Sequence, residues 1–264
     1  MIRLLCLLIA TSLLVACNAI SPPPPVMDNG VEDILWVGND QILTGPLDMQ
    51  TLLLLEVAGN AQTFTMERSI NPRYTLSADV IESNFSMAND ISDKDIVIIQ
   101  AYDIQRGFSE AAFEESATSW IEVFQAQEKN TVVFYPWFTK VDVEADKKNL
   151  DEMIHKFVWK QNLTLVPVGP AWEAAKLARP DIKLYASDGI HPSALGVYLT
   201  ACVFYASLTG ESPLENPVYT AIGFDSPQEI VKLDGDTIEF LQRIAWETIN
   251  DYLQKDEFRV IIKE

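Results

Sequence analysis

Basic residues, histidine and cysteine are scarce in this 264-residue chain, and each shortage closes off a class of chemistry. Lys and Arg number 19 against 38 Asp and Glu, for a formal charge of −19. Proteins that hold nucleic acid neutralise phosphates with the opposite balance, so no nucleic-acid partner is expected and the surface reads as acidic and solvated. Two histidines, His155 and His191, and one distant cysteine offer no metal-ligand spacing, and no metal or other cofactor is expected. Of the three cysteines, Cys6 and Cys17 lie near the start, which leaves Cys202 with no intramolecular disulfide partner. It stands in residues 198–205, apolar almost all round, and reads as a buried small hydrophobe, not a catalytic thiol.

Hydrophobic residues make up 48% of the chain, enough at this length for one sizeable α/β domain with a well-buried core. Residues 1–16, with Arg3 before the apolar run Leu4 to Ala16, match a secretory signal, and the run is too short to span a bilayer comfortably. Its end, Leu14-Val15-Ala16-Cys17, resembles the lipobox of bacterial lipoproteins, which implies a lipidated Cys17 at the head of the mature chain. Ser21 to Pro25 follows as a semi-rigid proline tether. Acyl chains contribute about 0.8 kcal/mol per buried methylene, so several of them hold a domain stably at a membrane. Asn18 stands where an aspartate would retain a lipoprotein in the inner membrane, which points to the outer membrane of a bacterial envelope, facing the periplasm. The expected organisation is a signal peptide over 1–16, a lipidated cysteine and tether over 17–30, and a single domain over 31–264. Loss of the signal removes Arg3 and no acid, moving the formal charge to about −20.

Short β-branched runs alternate with stretches of helical spacing. Ile34 to Val37, Asp95 to Gln100, Thr131 to Tyr135 and Leu163 to Pro167 read as central strands, apolar on both faces. Leu47 to Ala58, Ser109 to Gln127 and Leu150 to Gln161 read as helices. The pattern predicts an α/β fold, a three-layer α/β/α sandwich with a mostly parallel central sheet, in which ligands bind beyond the carboxyl ends of the strands. Ser193 to Leu208, with Pro192 near its start and Gly210 past its end, is a core helix, and a last amphipathic helix is expected over Thr237 to Leu253.

Two turns fall at that carboxyl edge. In Asp188-Gly189-Ile190-His191-Pro192-Ser193 an aspartate three residues before a histidine lets the carboxylate fix the tautomer and orientation of an imidazole base. A base needs a group to deprotonate, and Ile34-Leu35-Trp36-Val37-Gly38-Asn39-Asp40 is an apolar run ending in a tight polar turn where one would sit.

With these turns in that order the chain resembles the SGNH (GDSL-type) hydrolase superfamily from Asp33 to about Pro213. The resemblance is carried most strongly by Val166 to Trp172, Leu184 to Ser193 and Gly196 to Leu199. It implies a flavodoxin-like three-layer fold and hydrolysis of carbohydrate or lipid esters, with His191 as base and Asp188 orienting it. Gly38 and Asn39 match the family's first block, but Asp40 occupies the place of the serine nucleophile. The second block, around Pro72 to Leu76, lacks the expected glycine-rich turn, and Pro72 has no N–H to give an oxyanion hole. The third, Gln100-Ala101-Tyr102-Asp103, puts either Gln100 or Tyr102 in the role of the donor asparagine.

A serine enzyme stripped of its nucleophile loses turnover on the order of a million-fold. Two readings stay open. In one, activity survives in altered form: a carboxylate at Asp40 attacks an electrophilic carbon and a histidine-activated water hydrolyses the resulting ester, although a carboxylate beside imidazole also tends simply to pair with it. In the other the chain is a pseudoenzyme whose old cleft binds a glycan, an acyl group or a protein. Ser187 and Ser193 lie too close in sequence to His191 to reach it in line, Ser193 and Ser109 read as helix starts, and His155 reads as a structural mid-helix residue. Trp36, Trp137 and Trp172 are expected at strand ends or in loops near the carboxyl edge, as core or as stacking surface for a sugar or acyl group.

Overall fold

The alternation becomes a five-stranded parallel sheet in the computed structural model, which describes residues 31–38, 42, 46–58, 63–70, 91, 93–101, 110–126, 129–137, 144–223 and 230–253. The strands are β1 (Val31–Gly38), β2 (Thr63–Ile70), β3 (Ile96–Gln100), β4 (Asn130–Tyr135) and β5 (Thr164–Pro167), in the spatial order β2-β1-β3-β4-β5 with every pairing parallel. The order reverses between β1 and β3, and at such a switch point the connections leave a crevice outside the strand ends.

Period-two alternation divides the strand side chains between two cores. Ile34, Trp36, Ile96, Ile98, Val132, Phe134 and Val166 face one way, and Leu35, Val37, Val97, Ile99, Val133, Tyr135 and Leu165 face the other. The first face is covered by α1 (Leu47–Val57), α4 (Val168–Ala178), α5 (Ala194–Thr209) and α6 (Gly235–Leu253), the second by α2 (Glu110–Gln125) and α3 (Glu144–Lys160). These are the three layers expected.

Helix α5 is the centre of the first core. Every residue from Gly196 to Leu208 is buried, as an all-round apolar helix requires. Ser193 caps its start by accepting from Gly196 N (3.3 Å), and Gly210 ends it in the left-handed region at φ 70°, where glycine costs least. Cys202 lies fully buried within it, and burial pushes its thiol well up. His155 lies in the middle of α3, as expected, and is buried there.

Elements the sequence pattern did not show explain themselves. Strand β2 is an edge with one buried face: Phe64 is buried, Met66 and Arg68 are half-buried, and Thr65 and Glu67 are exposed, so it lacks the continuous apolar run of a central strand. Arg68 reaches from it to Asp48, in the first turn of α1, with both Nε and Nη2 donating to the carboxylate. Helix α4 follows β5 without a loop, which places Trp172 in a helix and not in a loop. Helix α3 begins at Glu144, earlier than the apolar spacing suggested.

A two-stranded antiparallel ribbon, β6 (Thr220–Ile222) and β7 (Ile230–Lys232), precedes α6. Buried polar side chains stitch this region to the helical layer. The Gln50 amide donates to Thr220 O (3.0 Å) and accepts from Ile222 N (3.2 Å). Asn216 donates to Leu54 O (3.0 Å) and accepts from Val218 N (3.2 Å), and Gln242 donates to both Tyr198 Oη (2.9 Å) and Asn216 O (3.0 Å). Among the described residues no helix is long and apolar enough to cross a membrane.

Candidate active site

The segment from Leu184 to Ser193 folds back on itself as a narrow hairpin leading into α5. Tyr185 bridges Pro192, Ser193 N donates to Leu184 O (2.8 Å) and Ala186 N donates to His191 O (2.8 Å). At its tip Gly189 N donates to Ala186 O (3.1 Å), and the turn needs φ 74° at Gly189, a conformation that strains a side-chain-bearing residue.

Asp188 organises this tip. Its Oδ1 accepts from Ile190 N (2.9 Å) and His191 N (3.0 Å), and its Oδ2 lies 2.5 Å from His191 Nδ1. Partial burial pushes the carboxyl up, but the His191 ring and the two backbone N–H groups outweigh it and hold Asp188 at about 2. An ionised Asp188 accepts from a protonated Nδ1, which makes Nε2 the ring atom able to take up a proton. The pair is accessible: the side chains of His191 and Asp188 are 18% and 36% exposed.

Trp137, two residues beyond β4, sets the hairpin at the carboxyl edge of the sheet by donating its indole N–H to Ile190 O (2.9 Å). Its ring stacks on Trp172 at 4.7 Å and 11°, and Trp172 meets Tyr185 edge-on at 4.9 Å. Gly196 passes so close that a methyl group there would overlap Leu184 O and crowd the Trp172 ring. Trp36, Trp137 and Trp172 are all essentially buried and belong to the core, not to a stacking surface.

The structure also brings Gly38 and Gln100 together, at the ends of the adjacent strands β1 and β3 that flank the switch point. Gln100 is fully buried, and any side chain at Gly38 would collide with its carboxamide and with Ile42. Gly38 is therefore a position of enforced close approach. Asn39, Asp40, Tyr102, the turn at Pro72 and Cys17 lie outside the described residues. Ser193 is the cap of α5 and donates to Lys183 O (2.6 Å), which leaves it a structural role. Among the described residues no group of His, Cys, Asp and Glu side chains is placed to hold a metal ion. Sequence reasoning did not foresee the Trp137–Ile190 bond, since nothing in a linear pattern pairs an indole with a main-chain carbonyl so far along the chain.

No protein-family model matches this chain, and no curated protein matches it in sequence. Solved structures do match in fold. A DUF4886 family protein from Bacteroides uniformis is 16% identical, with a TM-score of 0.65 over 83% of this chain and 95% of that one. A protein assigned to the SGNH hydrolases from Slackia heliotrinireducens is 20% identical, with a TM-score of 0.51 over 67% of this chain and 99% of that one. A catalytic serine-to-alanine mutant of an acetylxylan esterase from Geobacillus stearothermophilus is 13% identical, with a TM-score of 0.56 over 67% and 94%. The chain has the α/β fold of the SGNH hydrolases.

Proposed function

We propose that this protein is an ester hydrolase of SGNH type with altered catalysis, acting on acyl esters of carbohydrates or lipids. The observation that carries the reading is the Asp188–His191 pair: an ionised carboxylate on Nδ1, backbone bonds fixing the turn, and a partly exposed imidazole at the carboxyl edge of a parallel sheet. His191 is the general base and Asp188 holds its tautomer. By the resemblance, the oxyanion donor is either Gln100, buried against Gly38, or Tyr102.

Asp40 takes the place of the serine, so any turnover runs through a carboxylate nucleophile or through water activated by His191, well below that of a serine enzyme. The same substitution favours the second reading, in which the cleft binds a glycan, an acyl group or a protein without turnover. A panel of nitrophenyl esters and acetylated xylan separates them. Turnover abolished by His191→Ala supports the enzyme. Activity that appears only in Asp40→Ser, with ligand-induced thermal stabilisation of the natural chain, supports the binding protein. We also propose that Cys17 is lipidated and that the proline tether holds the domain at the outer membrane, facing the periplasm. Metabolic labelling with an alkynyl fatty acid, lost in Cys17→Ala, tests this anchor.

A further inference from the structure

We infer that Trp137 is a positioning residue for His191, acting through the peptide that joins Ile190 to His191. The inference rests on the reading of His191 as a base. That peptide is a rigid plane, so fixing its two ends fixes the place of the His191 Cα and the N–Cα bond from which its side chain is carried. Its oxygen is held by Trp137 Nε1 (2.9 Å) and its nitrogen donates to Asp188 Oδ1 (3.0 Å).

The two holds are not equivalent. Asp188 belongs to the same turn, so its bonds to Ile190 N, His191 N and His191 Nδ1 shape the tip without referring it to anything outside. Trp137 comes from the end of β4 and carries the frame of the sheet to the tip. Trp137 is itself closely packed: it is 2% exposed, stacked flat on Trp172, and set against Phe134 at 6.3 Å between ring centroids. Trp172 is anchored in turn by its indole N–H on Thr200 Oγ1 (3.1 Å). Orientation of this quality matters because a misplacement of about 1 Å in a catalytic group costs on the order of 100-fold in rate.

An indole N–H buried beside a carbonyl also satisfies both groups, which is a structural role alone. The two tryptophans of the stack separate these roles, since each loses a buried donor on substitution by phenylalanine but only Trp137 is bonded to the tip, Trp172 meeting the hairpin at Tyr185. The full chain, labelled with ¹⁵N, is read by two-bond nitrogen–proton spectra of its histidine rings, with His191 identified by its absence in His191→Ala. In the parent, His191 is expected to populate the Nδ1–H tautomer and to show a slowly exchanging Nδ1 proton. Trp137→Phe is expected to lose that slow exchange and to gain the Nε2–H tautomer, while Trp172→Phe keeps the parental pattern. On any ester that is turned over, Trp137→Phe lowers kcat by about 100-fold with KM within about two-fold.

A folded Trp137→Phe with the parental His191 spectrum overturns the inference, as does an equal effect from Trp172→Phe. If Trp137→Phe does not fold, hydrogen exchange of the parent in rising urea decides. Loss of protection at Trp137 Nε1–H and His191 Nδ1–H at one urea concentration supports the coupling, and earlier loss at His191 overturns it. Absence of ester turnover alongside the tautomer change removes the hydrolase reading and leaves the positioning role standing.

Discussion

Replacing Gly196 by alanine sets two effects of opposite sign against each other. Gly196 lies in the first turn of α5, where intrinsic helix propensity favours alanine by at most about 1 kcal/mol. The added methyl, however, would overlap the main-chain oxygen of Leu184 and come within 2.7 Å of Cη2 and Cζ2 of Trp172. Neither obstacle can swing aside. The Leu184 oxygen accepts the bond from Ser193 N that closes the base of the hairpin, and Trp172 is fully buried in its stack. Overpacking costs about 1–3 kcal/mol, and a backbone obstacle places this site near the upper figure. The balance is a loss of about 2 kcal/mol, which for a domain of this size lowers the thermal midpoint by roughly 4–8 °C. Urea unfolding followed by tryptophan fluorescence measures it, with the slope unchanged and the midpoint reduced. A Gly196→Ala protein as stable as its parent, or more so, would refute the reasoning, because propensity would then have outweighed contact.

Other outcomes follow from the same geometry. Because Asp188 is held at about 2, below its ordinary 3.8, its contribution to the turn is complete above about pH 4 and is lost as pH falls through about 2; a carboxyl ¹³C titration midpoint at or above 3.8 contradicts this. Asn216→Ala strands the buried Val218 N–H and removes the bond to Leu54 O, for an expected cost of about 2–3 kcal/mol in urea unfolding, and a cost below about 0.5 kcal/mol contradicts the stitching role. Cys202, buried and pushed up by that burial, should stay unalkylated by iodoacetamide at pH 8 in the native protein and react once unfolded, as peptide mass spectrometry would record.

The central strands and the large helices were legible because their side chains answer to one rule each: full burial for β3 and for β4 after Asn130, helical spacing for α1 and α2, and an apolar run bounded by Pro192 and Gly210 for α5. Strand β2 escaped because an edge strand buries only one face, and Thr63 to Ile70 mixes apolar with charged residues. Helix α4 escaped because it starts where β5 stops, so no turn residues mark the change of period. At the site, Asp188 and His191 were legible because their bond is local, three residues apart. The meeting of Gly38 with Gln100 rests on strand order, and the Trp137–Ile190 bond on a hairpin docking against β4. Both are products of topology, which a linear reading does not contain.

The residues of the site are drawn from distant parts of the chain: Gly38 from the first strand, Gln100 from the third, Trp137 from beyond the fourth, and Asp188 and His191 from the hairpin before α5. No short piece can therefore assemble it, and contacts between distant segments are the slowest to form. On the proposed function, a nascent chain gains its chemistry only after Ser193 has emerged and the hairpin has docked against β4. The arrangement makes competence a late event in the life of each molecule, reached only when folding is nearly complete.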